Sequence, residues 1–572
     1  MRQRRAQASR AAKSAWLGLG ALALAVLPLN AQPVLSADGP DLGYAKTVSW
    51  HIDQAGELAS MEPTIKSILG RVHVTYPGAD GQTIDGFFPG PTYSYEKLPG
   101  WTPFYLYIRD TATDLPMVRY YYGNAAMRST VEEFLRLQYP DGSISATIGP
   151  DFKVDKATVV SDEETSTIVD AVEAYAAQPD PAWLKQNLRG KSLIERLNGA
   201  MAWVLEQRRD PDSRLIKRAH TTDWGDIKWE PNSDPSQMRP GDQWTVSIYD
   251  QAIGYAALVG LARLNAAADR DADRVRFENE AADLRAATNL ALWMDGPDRG
   301  YYRIHAHLAP DNVHHDFNED DVVTIGNAAA VFYGLAEPAK APRIWTALER
   351  ARIDAGAPKP GLTLYPAYGN WVQVQMDSRI YQNGALWDWW AGRQISAEFW
   401  SGYWRMARDH LFMVSRDWAS HPGTVREWES PWLNRNGADQ AYAGAAAVMG
   451  QSVVEGLFGV SLGAREVRLT PRLDDLSGGV RVYEPATDTY VAYEYQGGER
   501  GESIQYGTNS PSAIAVRLPV RWSGETLARL DGKDYLPVTY QRTGEVLLGA
   551  VIVPSGTHRV EFSEAPPTRP KF

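Results

Sequence analysis

The chain has 572 residues, 44% of them hydrophobic, enough for a large core and for more than one domain. Its formal net charge of −12 leaves no excess of Lys and Arg to neutralise phosphates, which argues against a nucleic-acid partner. There is no cysteine, so disulfides and thiolate chemistry are excluded and stability rests on packing.

The first residues read as an export signal. Arg2, Arg4, Arg5, Arg10 and Lys13 precede the apolar run AWLGLGALALAVLPL (15–29), which is too short to span a bilayer comfortably and ends in NAQP. Cleavage after Ala31 is expected, with a retained anchor as the competing reading. The Arg4-Arg5 pair is a weak hint of twin-arginine export. No other long apolar run follows, so a bacterial secreted or periplasmic protein without membrane association is expected.

Residues 32–100 are rich in Gly, Pro and Thr, and RVHVTYP (71–77) has the pattern of a strand. This stretch reads as an N-terminal segment of strands and long loops. From residue 101 to 460 helical patterns recur. They include STVEEFLRLQ (129–138), TSTIVDAVEAYAAQ (165–178), KSLIERLNGAMAWVLEQRR (191–209), SIYDQAIGYAALVGLARLNAAA (247–268) and ADRVRFENEAADLRAATNLALW (272–293). VTIGNAAAVFYGLA (323–336) and RIWTALERAR (343–352) form a further pair. In SAEFWSGYWRMARDHLFMVSRDW (396–418), Trp400, Trp404, Ala407, Leu411, Val414 and Trp418 fall on one stripe, with Ser396 as its N-cap. GADQAYAGAAAVMGQSVVEGLFGV (437–460) is a helix of small residues suited to close packing. About ten to twelve helices without intervening strands argue against a parallel α/β sheet or a TIM barrel and for a ring of helical hairpins. After residue 460 the period becomes two. EVRLTPRL, GVRVYEP, TYVAYEYQ, AIAVRLPV and VLLGAVIVP read as strands, and Asp531-Gly532 as a hairpin turn, giving an antiparallel β-sandwich over 461–572.

The 20 Trp and 28 Tyr often fall beside Asp, Glu, Asn and Gly, a pairing suited to sugars, whose C–H faces stack on rings while their hydroxyls need polar partners. Cleaving a glycosidic bond takes two carboxyl groups on opposite sides of it. Acids on aromatic-rich loops are therefore the candidates. WTPFYLYIRDTATD (101–114) presents Arg109 and Asp110, able to grip neighbouring hydroxyls or to form a structural ion pair at a helix start. Asp162, Glu163 and Glu164 in VVSDEETSTIVDAVEAY (159–175) read as ordinary helix N-terminal charge. AHTTDWGDIKWE (219–230) holds Asp223, Asp226 and Glu230 around Trp224 and Trp229; a carboxyl desolvated by an indole stays protonated, as a general acid must. HPGTVREWESPW (421–432) holds Glu427 and Glu429 beside Trp428, one of them suited to general base. YQNGALWDWWAGRQ (381–394) crowds Trp387, Trp389 and Trp390 around Asp388, next to Gln382 and Asn383. HAHLAPDNVHHDFNEDD (305–321) lacks the ligand spacing of a zinc protease or an EF-hand, and no nucleotide fingerprint or Gly-x-Ser-x-Gly elbow occurs. No metal or cofactor is expected.

In order, these segments resemble the six-hairpin, (α/α)6-barrel glycosidases: glucoamylases, glycogen-debranching enzymes and bacterial α-L-rhamnosidases. YLYIRDTATDLPMV resembles the motif that binds the terminal sugar, which implies that role for Arg109 and Asp110. YPDGSISA followed by SDEETSTIVDAVEAY resembles the next hairpin. TTDWGD is similar to the stretch holding the general acid, YQNGALWDWW to the Asn-Gly-x-x-Trp-x-Trp element, and PGTVREWESP to the loop of the general base, which falls on Glu427. FGVSLGAREVRLTPRL resembles the passage into a rhamnosidase β-domain. The acid loop aligns with no single branch, so Asp223, Asp226 and Glu230 all stay open.

The resulting expectation is a secreted, inverting exo-glycosidase. Asp226 is its acid, Glu427 its base, Arg109 and Asp110 hold the sugar, and Trp224, Trp387, Trp390 and Trp428 form stacking walls. Two rivals are a polysaccharide lyase or unsaturated uronyl hydrolase on the same toroid, using the histidines of 305–315, and a glycan-binding protein without catalysis.

Overall fold

The computed structural model describes residues 42–90, 106–149, 152, 154–158, 161–219, 244–308, 319–369, 378–437, 440–463, 466–498 and 501–566. The export signal read at residues 1–31 lies outside them. Among the described residues, twelve helices of nine residues or more follow one another. They are α1 (Met61–Val72), α2 (Ile108–Tyr121), α3 (Asn124–Arg136), α4 (Asp162–Ala177), α5 (Leu193–Trp203) and α6 (Ile248–Ala267). The rest are α7 (Asp271–Ala291), α8 (Thr324–Phe332), α9 (Ala341–Ala355), α10 (Asp388–Trp400), α11 (Trp404–Ser420) and α12 (Ala443–Gln451). None of them is long and apolar enough to cross a membrane.

The even-numbered helices close a cycle. α2 packs on α4, α4 on α6, α6 on α8, α8 on α10, α10 on α12, and α12 returns onto α2. The odd-numbered helices lie against this cycle, with α1 on α12, α3 on α2 and α4, α5 on α4 and α6, α7 on α6, α9 on α8, and α11 on α10. Burial separates the two sets. Every residue of α12 and all of α10 except Trp400 is buried, whereas α7 buries only Phe277, Ala281, Leu284 and Thr288. Small residues let α12 enter so deep a position. A Cβ on Gly444 would lie 2.5 Å from Oγ1 of Thr113 on α2, and one on Gly450 would lie 2.8 Å from Sδ of Met117.

Two expectations change at this level. The segment MEPTIKSILGRV, expected among strands and loops, is α1. Its Ile65, Ile68, Leu69 and Val72 recur at helical spacing and are fully buried. Ser396 caps no helix. It sits inside α10, fully buried and hydrogen-bonded to Ser452 at 2.9 Å. The long stripe is split where Gly402 takes a φ of +89, so Trp400 closes α10 while Trp404, Ala407, Leu411, Val414 and Trp418 form the buried face of α11.

Beside several short strand pairs among the described residues, twelve strands make two larger sheets. β1 (Ser49–Ile52), β2 (Val460–Leu462), β3 (Glu466–Leu469), β4 (Gly478–Glu484), β5 (Thr489–Gln496) and β6 (Gly501–Thr508) are followed by β7 (Ala513–Pro519), β8 (Thr526–Leu530), β9 (Asp534–Leu536), β10 (Thr539–Thr543), β11 (Val546–Val553) and β12 (Gly556–Glu564). One sheet runs β1-β4-β5-β6-β12-β8-β9 and the other β2-β3-β7-β11-β10. All neighbours are antiparallel except β3 with β7. The edge strand β1 comes from the N-terminal segment, with Trp50 opposite Val480. The sheets meet where the Phe562 ring of β12 covers Gly549 of β11. One continuous apolar cluster runs from Val48 through the helices to Phe562. Polar clamps reinforce it. Arg119 of α2 donates through Nε to Glu484 of β4 at 3.0 Å and through Nη2 to the Leu462 carbonyl at 2.8 Å, while the Tyr493 hydroxyl donates to the Phe458 carbonyl.

Candidate active site

The starts of the inner helices meet. The short pairing of Leu106–Tyr107 with Thr147–Ile148 delivers the chain into α2, and Thr111 fastens the turn by donating to the Tyr107 carbonyl at 3.0 Å. Arg109 and Asp110 therefore fall in the first turn, where the exposed N–H groups favour a carboxylate. The Tyr442 hydroxyl, from the residue immediately before α12, donates to Oδ1 of Asp110 at 2.9 Å. Nη1 of Arg109 lies 3.8 Å from Oδ2 of Asp162 at the start of α4. At the start of α6, Asp250 pairs at 3.3 Å with Arg218, which is completely buried. Burial, partly offset by Arg218 and reinforced by the charge of Asp162, pushes the Asp250 carboxyl up to about 6. Burial, then the carboxylates of Asp110 and Glu427, push the Tyr442 phenol far up, so it stays a donor. Asp114, one turn below Asp110, is also pushed well up, by burial and then by Asp110 and Asp170.

Glu427 reaches the same place from the far end of the chain. Its loop is stitched on both sides. Val425 donates to the Gln440 carbonyl at 2.9 Å and accepts from Tyr442 N at 2.8 Å, while Glu429 and Leu386 exchange backbone bonds at 2.9 and 2.8 Å just before α10. Glu427 is half-buried, and a Cβ placed on Gly437 would stand 3.2 Å from its Oε2. Asp110, Tyr442 and Glu427 thus share one locus at the N-terminal end of the helix cycle.

The other predicted residues take distinct places. Glu429 is ion-paired to Lys359 at 2.7 Å and to Arg426 at 2.5 Å. Asp388 is ion-paired to Lys359 at 2.7 Å and accepts from the Trp418 indole at 2.8 Å. Asn383 is buried with its side chain on the backbone of Tyr368, accepting at 2.7 Å and donating at 3.2 Å, and Gln382 is buried beside it. Trp387 and Trp390 are wholly buried, their ring centres 6.2 Å apart. They pack under the site and do not wall it. Trp387 lies edge-on to Tyr442 at 6.0 Å and to Tyr381 at 5.0 Å, and Tyr381 in turn meets the half-buried Trp428 at 6.4 Å. Asp223, Trp224, Asp226 and Glu230 lie outside the described residues, although the strand pair that frames their loop, Arg218–Ala219 with Trp244–Ser247, is described. His305 is buried opposite Ser247, and His307 is engaged by Glu319. No group of His, Asp and Glu among the described residues is arranged to hold a metal ion.

Sequence reading missed Tyr442, Lys359 and the Arg218–Asp250 pair. None carries a motif, and each acts on a residue remote in the chain or hidden by burial. Asp162, read as routine helix-start charge, faces Arg109.

No protein-family model and no curated protein matches the chain in sequence. Its fold is similar to that of solved α-L-rhamnosidases. The enzyme from Dictyoglumus thermophilum aligns at 13% identity over 91% of this chain and 51% of its own, with a TM-score of 0.57. A GH78 family rhamnosidase of Bacillus sp. GL1 aligns at 16% identity over 84% of this chain and 44% of its own, with a TM-score of 0.56. The Streptomyces avermitilis α-L-rhamnosidase complexed with L-rhamnose aligns at 14% identity over 90% and 42%, with a TM-score of 0.54. The chain spans about half the length of these neighbours or less.

Proposed function

We propose that this protein is an exported, inverting, exo-acting glycoside hydrolase that removes terminal sugars from oligo- or polysaccharides. The observation that carries the reading is that Tyr442 both donates to Asp110 and feels the charge of Glu427, on a fold shared with α-L-rhamnosidases. The closed cycle of six helices with six more against it is read as an (α/α)6 barrel, and the two sheets as a β-sandwich. The N-terminal end of the cycle is then the mouth of the site, where helix dipoles and a dense set of donors and carboxylates suit a polyhydroxylated ligand.

In this mechanism Arg109 and Asp110 fix hydroxyls of the terminal sugar. Glu427 takes a proton from a water, which attacks the anomeric carbon, and an acid from the 220–243 loop protonates the leaving oxygen. Asp226 is assigned that second role, with Asp223 and Glu230 as the other carboxyls of the loop. Inversion calls for a separation of roughly 6.5–9.5 Å between the two carboxyl groups. The sugar is rhamnose- or glucose-like and uncharged. Arg109 and Arg218 stand among Asp110, Asp162, Asp250 and Glu427, a surplus of negative charge that disfavours a uronate.

The test is a screen of aryl-glycosides and oligosaccharides with NMR of the first anomeric proton released, run on the wild type and on Glu427→Gln. Wild-type release of the inverted anomer and a loss of about 10²–10⁴-fold in kcat for the variant, with folding and sugar binding kept, support the reading. Unchanged turnover in Glu427→Gln removes Glu427 from the mechanism. A retained anomer removes inversion.

A further inference from the structure

Lys359 lies between Pro358 and Pro360, whose rings fix the backbone on either side of it. The segment runs beside the approach to α10, where Trp387 N donates to the Gly361 carbonyl at 3.0 Å and Thr363 N to the Ala385 carbonyl at 2.9 Å. The side chain is 4% exposed, and its ammonium reaches three carboxylates from three elements. These are Asp388 of α10 at 2.7 Å, Asp417 of α11 at 2.6 Å and Glu429 of the Glu427 loop at 2.7 Å. An ammonium has three N–H donors, and one of them is hydrogen-bonded to Asp417 at 2.6 Å. Burial works against its charge, but Asp388, Glu429 and Asp417 outweigh burial and raise Lys359, which keeps it protonated. Arg426 adds a second contact to Glu429 at 2.5 Å.

A buried ion cluster is a weak source of stability, because desolvation offsets most of the attraction; what it supplies is fixed geometry. Glu429 is two residues from Glu427, and its backbone is already bridged to Leu386. We propose that Lys359 is a positioning residue, locking the Glu427 loop to the N-terminus of α10 and so fixing the direction from which Glu427 meets a water. The inference rests on Glu427 being the general base. Without the ammonium, the three carboxylates that now converge on one atom keep only weaker or separate partners: Arg426 on Glu429, the Trp418 indole on Asp388 and His421 at 3.5 Å from Asp417. The carboxylates repel, and Glu429 is the arm carried by a loop rather than by a helix.

The experiment compares Lys359→Met, Glu427→Gln and the double variant on the best aryl-glycoside from the screen, with thermal unfolding and product-sugar binding measured on each. The expected result for Lys359→Met is a fall of about 10–100-fold in kcat with KM within about threefold, since a misplaced base costs the transition state and leaves ground-state binding. The double variant should turn over no more slowly than Glu427→Gln, because the effect passes through Glu427. If Glu427→Gln is inactive but Lys359→Met keeps wild-type kcat, the positioning role is wrong and the proposed function stands. If Lys359→Met lowers the double variant below Glu427→Gln, its role is general structure, and the inference is overturned. If Glu427→Gln is fully active, the function itself fails. Should Lys359→Met not fold, Asp417→Asn removes the half-exposed arm and spares the ammonium. A kcat fall with KM unchanged in it supports the cluster, and wild-type kcat overturns it.

Discussion

Replacing Arg119 by alanine is expected to remove about 4–6 kcal/mol of folding stability. Arg119 is 7% exposed and Glu484 3%, so neither side chain has water to fall back on. Truncation strips Glu484 of the Nε bond at 3.0 Å and the Nη2 bond at 2.5 Å, leaving one hydroxyl donor, Thr487 at 2.7 Å. Breaking one partner of a buried ion pair costs about 3–5 kcal/mol, and the Leu462 carbonyl, which loses its 2.8 Å donor, adds about 1 kcal/mol. That is a large part of the roughly 5–15 kcal/mol of a typical protein. The loss falls where α2 meets β4. Urea unfolding followed by circular dichroism near neutral pH measures it as a lower midpoint at unchanged slope, or as a separate early transition of the sheets. Arg119→Ala with Glu484→Gln removes the stranded charge and should recover at least about 2 kcal/mol. A loss under about 1 kcal/mol in the single variant, or no recovery in the double, would refute the assignment of the deficit to a stranded carboxylate.

Two further outcomes follow from the same contacts. His410 lies between Glu398 at 2.9 Å and Glu349 at 3.1 Å; burial lowers its affinity for a proton, but the Glu398 charge and the bonds to both carboxylates raise it to about 9 from 6.5. Its folded value exceeds the unfolded one, so this stability is complete below pH 6.5 and is lost as pH rises through about 9. His410→Gln should flatten the fall in urea midpoint across that window, and parallel curves for the two proteins would contradict it. At Gly437 an added Cβ would stand 2.9 Å from the Trp428 indole nitrogen and 3.2 Å from Oε2 of Glu427. Gly437→Ala should therefore lower kcat/KM by about tenfold with little change in melting, and wild-type kinetics would show that the Glu427 loop tolerates displacement.

The helices were legible because each must bury a stripe, and burial writes a 3.6-residue period into sequences such as ADRVRFENEAADLRAATNLALW. α1 was less legible, as its short apolar stripe is set among Gly, Pro and Thr and runs directly into RVHVTYP. The break at Gly402 was missed because the apolar stripe runs through it, and only a positive φ separates Trp400 from Trp404. Acids beside indoles pointed to the loop of Glu427, but could not tell Glu427 from Glu429. Both are glutamates flanking one tryptophan, and what separates them is Lys359, a residue about seventy positions earlier that pairs with Glu429.

The sequence by itself determined the period of most of the long helices, the switch from helices to strands after residue 460, and the candidate carboxyl groups, since these follow from local burial and charge. Only the tertiary structure decided that α12 returns onto α2, that β1 joins a sheet more than four hundred residues away, and that Tyr442 reaches Asp110 while Lys359 gathers Asp388, Asp417 and Glu429. The physical reason is that period and composition report which face of an element is covered, and are silent about what covers it. Partners across the ring are chosen by shape and by the pairing of buried charge, which no stretch of neighbouring residues encodes.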